Sequence, residues 1–214
     1  MGIKDYLHKT FPRLSLKPSL YVQWDTGVHI EFAKGLYQFT NDDKLNPVYF
    51  EKVYNQALSL FHLLFGEEDE MFLVTNVYHH KDWKWKQSKV YRRYVKNKHL
   101  TYDVKKQMLP YLYIDEDEGD GYVTSQFNVR CRKSDINYFL LLKATCHEDF
   151  SIQPKLGKAK DTYYPDVFFV NATKDLIFFI YDDRGCEVIA SHKDKLQSIT
   201  KWGAEEGIEV DYKK

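Results

Sequence analysis

Three apolar runs of strand length constrain this chain more than anything else in it. Met71 to Tyr78 (MFLVTNVY), Val167 to Val170 and Leu176 to Tyr181 are rich in β-branched and aromatic residues, the composition that fits a pleated, buried surface. Only a short polar turn near Asn171 to Lys174 joins the second run to the third. No run approaches the roughly 18 apolar residues that span a bilayer, so the strands belong to a folded core.

Around these runs the pattern predicts further elements. Ile3, Tyr6, Leu7 and Phe11 recur at helical spacing and end at Pro12. Leu20 to Trp24 and Val28 to Ala33 read as two strands joined at Asp25-Thr26-Gly27. A long amphipathic helix is predicted from Pro47 to Phe65, capped by Asn46 and closed by Gly66. Residues 83–95 favour a strand or hairpin, and 101–109 a short helix stopped by Pro110. Val123 to Cys131 alternates as a strand, and Ser134 is placed to cap a helix running to Cys146. Val188 to Ala190 reads as another strand. A capping box at 191–194 then opens a last helix with Leu196, Ile199 and Trp202 inward. The expected architecture is a single α+β domain over residues 1–214, mainly antiparallel sheet packed by about four helices.

Charge narrows the classes of function. Lys+Arg and Asp+Glu each number 31, so no global field draws the chain to nucleic acid, and no membrane partner is expected. No long apolar core follows Met1-Gly2, so no signal peptide is expected. Cys131, Cys146 and Cys186 form neither a CxxC pair nor a disulfide framework, which suits the cytoplasm. Phosphate-loop, dinucleotide and nucleophile-elbow motifs are lacking, and the histidines lack ligand spacing, so neither cofactor nor metal is expected.

Three segments carry candidate chemistry. In YDDRGCEVIA (181–190), Asp182 and Gly185 suit a type I turn with a positive-φ glycine and an exposed tip at Asp183-Arg184, and Asp182, Asp183 and Arg184 are candidate contacts for a partner. Cys186 with nearby His192 is the competing, catalytic reading, but a nucleophile and base also need an orienting third group. Residues 79–99 set eight Lys/Arg among Trp83, Trp85, Tyr91 and Tyr94. That pairing of charge with rings suits single-stranded nucleic acid, with Trp83, Trp85, Arg92 and Arg93 as contacts. A solvated strand with its aromatics inward explains the same pattern. The acidic loop Asp115, Glu116, Asp117 and Glu118 is a second candidate contact for a protein partner.

The segments IKDYLHKTFPRLSLKPSL, YQFT, FLVTNVY, CRKSDINY, YPDVFFVN and YDDRGCEVIA together resemble a bacterial family found in Bacillus-like Firmicutes, domain-of-unknown-function family 3885. The resemblance runs over essentially the whole chain and implies one domain, without bringing a mechanism or catalytic residues. Small families of this kind resemble immunity proteins that neutralise a toxin. The expected function is therefore a cytoplasmic protein-interaction module of the toxin-immunity type, with a cognate toxin as partner and no enzymatic activity. The alternative is an RNA or single-stranded DNA binder using the basic-aromatic stretch.

Overall fold

The longest apolar run lies inside one antiparallel sheet. In the computed structural model, which describes residues 1–82, 88–112, 121–157 and 164–213, it forms β2 (Met71–His80). Strand β2 is flanked by β4 (Tyr122–Cys131) and β5 (Asp166–Asn171). The sheet continues from β5 through β6 (Leu176–Asp182) and β7 (Gly185–Ala190) to β1 (Gly27–Glu31) and β8 (Val210–Tyr212). On the other edge β3 (Lys105–Pro110) pairs with β4, making eight strands among the described residues, every pair antiparallel.

Both faces of the sheet are covered. Leu73, Val167, Phe169, Phe178 and Val188 face one core; Phe72, Val74, Phe168, Val170 and Ile177 face the other. Burial on both sides is why these strands read as continuous apolar runs instead of alternating ones. The larger core is closed by α3 (Pro47–Leu64), α4 (Lys89–Tyr94), α5 (Tyr138–Thr145) and α6 (Gln197–Glu206). There Phe61 stacks on Phe65, with ring centres 4.6 Å apart, and meets Phe169 edge-on. The smaller core is closed by α1 (Ile3–Thr10), the segment after it and α2 (Leu20–Gln23), through Ile3, Tyr6, Phe11, Leu16 and Leu20. Each such buried side chain contributes about 1.5–3 kcal/mol. The α+β class therefore holds, with six α-helices among the described residues where about four were expected.

Four local expectations give way to tertiary packing. Residues 20–23 form α2, not a strand, because the turn puts Leu20 in the core while Val22 stays exposed. Strand β1 consequently pairs with β7 and β8. Residues 89–94 form α4, capped by the Ser88 hydroxyl accepting from Val90 N–H. Helical spacing there sends Val90, Tyr91 and Tyr94 inward together, overriding their extended preference. Residues 105–110 form the edge strand β3, where Pro110 is tolerated. The cap expected at Ser134 and the capping box expected at 191–194 do not open their helices. Single 3₁₀ turns at Lys133–Asp135 and Lys193–Leu196 come first, and no described residue bonds the Ser191 hydroxyl. By contrast Asn46 caps α3 as expected, its Oδ1 accepting from Val48 and Tyr49 N–H.

Candidate functional site

The β6–β7 turn lies at the end of the sheet where β1 runs out, beneath an arm formed by residues 33–46. The arm is a small hairpin: Phe39 bridges Leu45, Asn46 N–H donates to the Gln38 carbonyl at 2.9 Å, and Asp42 takes the Lys44 ammonium at its tip. Its base is built from a strained residue. Ala33 holds φ 47°, and its buried N–H donates to Gln56 Oε1 of α3 at 2.7 Å. Left-handed backbone at an alanine costs energy and persists only where neighbours hold it.

The turn itself departs from its expected exposure. Asp183 is 1% exposed and Asp182 is buried as well; only Arg184 reaches solvent. Burial is explained by partners: Asp183 Oδ2 accepts from Gln38 Nε2 at 2.6 Å and from the Tyr49 hydroxyl at 2.8 Å. Burial pushes the Asp183 carboxyl above the ordinary carboxylate range. The Gln38 and Tyr49 donors oppose that rise, and Asp182 adds to it. Burial, reinforced by the bond to Asp183 and its charge, pushes the Tyr49 phenol well up and keeps it protonated. Asp182 accepts from Arg184 N–H and Nε at 2.7 and 2.9 Å, and pairs with its guanidinium. Gly185 does not adopt positive φ. It is needed because a Cβ would overlap the Ile30 carbonyl and the Tyr181 hydroxyl.

What faces solvent here is apolar and aromatic. Tyr37 is 82% exposed, and Leu36, Phe39 and Val48 are exposed beside it. Leu36, Tyr37, Gln38, Tyr49 and Arg184 line a shallow cleft of about 170 Å³. Sequence reasoning found the turn and missed this arm. Its signal was present as two aromatic residues inside a polar, turn-rich segment with no strand-length run.

The other candidates are dispersed. Cys186 is fully buried, its thiol pushed well above the ordinary range by desolvation, and most of β7 separates it from His192. Cys186 and His192 therefore form no nucleophile–base pair. Arg92 and Arg93 are exposed on α4, with Arg93 donating to the Lys155 carbonyl at 2.9 Å. Tyr91 and Tyr94 lie in the core; Trp83, Trp85 and the acidic loop Asp115, Glu116, Asp117 and Glu118 lie outside the described residues. A second acidic run, Glu67, Glu68, Asp69 and Glu70, pairs within the chain with Lys133, Arg132, Lys174 and Arg130 in turn. Among the described residues no helix is long and apolar enough to cross a membrane.

Comparison with known proteins gives a relative and a family. The chain is 42% identical over 201 residues to the uncharacterized protein YnaE of Bacillus subtilis (strain 168), covering 93% of each chain. No solved structure matches. The family model described as domain of unknown function DUF3885 matches residues 3–201, and the chain belongs to that family.

Proposed function

We propose that this chain is a protein-binding module of the toxin-immunity type, acting in the cytoplasm by occupying a partner's surface. The observation that carries the reading is the exposed apolar group Leu36, Tyr37, Phe39 and Val48, set beside Arg184 on a buttressed support. Tyr and Arg anchors on a rigid base are the composition of binding hot spots, since little side-chain freedom is lost on contact. Rigidity here comes from the buried Asp183–Gln38–Tyr49 bonds and from the Ala33–Gln56 bond. A catalytic site needs an activated group in reach of solvent, and the buried Cys186 does not supply one. The toxin partner itself rests on the analogy with small bacterial immunity families.

The test is co-expression with the toxin-like product of a gene neighbouring this one. A one-to-one complex and restored growth are expected. Tyr37→Ser with Phe39→Ser should weaken the complex by about 2 kcal/mol or more while leaving the fold within about 0.5 kcal/mol. No complex and no rescue would defeat the reading. A complex indifferent to both substitutions would move the interface off this surface.

A further inference from the structure

Three aspartates from two parts of the chain meet beside the Arg184 turn. Asp182 ends β6, Asp183 follows it in the turn, and Asp149 lies in the bend after α5. Each offers a carboxylate oxygen within 4.8 Å of the other two. Asp149 is open to solvent and the other two are buried. An acidic cluster alone would mean little, but Asp183 adds an independent observation. Its Oδ2 is taken by Gln38 and Tyr49, while its Oδ1 is buried and has no hydrogen-bond partner among the described residues. Oδ1 is therefore the Asp183 oxygen that could take an ion without giving up a hydrogen bond. Native structures rarely leave a buried carboxylate oxygen unpaired, and a bound ion is one recognised reason for it.

Charge points the same way. Three carboxylates face one guanidinium, that of Arg184, so the group has negative charge in excess. A divalent cation would balance it.

We propose that Asp149, Asp182 and Asp183 bind one hard divalent cation of the Ca²⁺/Mg²⁺ class. The donors are all oxygen, which selects hard cations over zinc or copper. The exposure of Asp149 leaves coordination positions for water, as such ions require. Arg184 competes for the same carboxylate, because its guanidinium holds Asp182 Oδ2. A bound cation would tie the α5 bend to the β6–β7 turn and, through Gln38 and Tyr49, to the base of the arm. No ligand spacing in the sequence marks this site, because Asp149 meets the other two only through the fold.

The inference stands apart from protein binding and is tested on the isolated chain. After chelator treatment, CaCl₂, MgCl₂ and MnCl₂ are titrated separately by calorimetry, with Tb³⁺ luminescence sensitised through Tyr49 as a second readout. One cation per chain is expected, with a dissociation constant at or below about 1 mM for the preferred ion and a raised melting temperature. Asp149→Asn, at an exposed position, should weaken binding about tenfold or more without changing the metal-free melting temperature. Arg184→Gln should tighten binding by freeing Asp182. Absence of heat with all three salts together with absence of Tb³⁺ luminescence would overturn the proposal. Unchanged affinity in Asp149→Asn would overturn it as well.

Discussion

Gly185 packs against the main chain of Ile30 so closely that a Cβ on Gly185 would overlap the Ile30 carbonyl oxygen. The two strands meet here, with Glu31 opposite Gly185 and Phe32 N–H donating to the Arg184 carbonyl at 2.7 Å. Neither backbone can retreat without breaking the β1–β7 ladder. Gly185→Ala is therefore expected to destabilise the fold by about 3 kcal/mol through overpacking. Gly35→Ala has open space but holds φ +83°, and should cost only about 1 kcal/mol. Denaturant midpoints of both variants would separate a steric requirement for glycine from a conformational one.

Gln56 is buried in α3 and accepts the Ala33 N–H that anchors the arm. Gln56→Leu should leave that buried donor unpaired and lower stability by about 1–3 kcal/mol. Hydrogen exchange at the Ala33 amide should rise more than at amides of β2, because the strained turn loses its restraint.

Asp166 turns its carboxyl onto the buried Tyr78 hydroxyl, and burial pushes it up to about 7 despite that bond. Its folded pKa lies above the unfolded one, so between about pH 4 and pH 7 the folded chain holds a proton that the unfolded chain has released. Stability from this group is full below pH 4 and falls as pH rises, by up to about 1.4 kcal/mol per pH unit in that window. Asp166→Asn should flatten this part of the stability–pH curve. An unchanged slope in chemical denaturation across the window would contradict the assignment.

Arg92 and Arg93 stand on a helix whose own aromatics, Tyr91 and Tyr94, are in the core. At about 50 mM salt, single-stranded RNA should bind the wild type no more tightly than it binds the Arg92→Ala, Arg93→Ala double variant. A wild-type affinity that falls steeply with salt and weakens in the double variant would instead establish the basic stretch as a nucleic-acid contact.

Strands β2, β5 and β6 and helix α3 were legible in the sequence, each for a local reason. The strands are buried on both faces, so composition alone marks them. Helix α3 carries its own cap at Asn46 and a broad apolar stripe. Residues 20–23, 89–94 and 105–110 are short, and their side chains satisfy either period. Their form depended on which core or strand edge lay nearest. The site divides the same way. Local chemistry marked Asp182 to Arg184 as a turn, since Asp and Gly flank it at turn spacing. That Asp183 is buried, that Gln38 and Tyr49 hold it, and that Asp149 stands beside it depend on segments distant in sequence. Hydrogen bonds and charge proximity of that kind follow from distance in space, which local pattern does not encode.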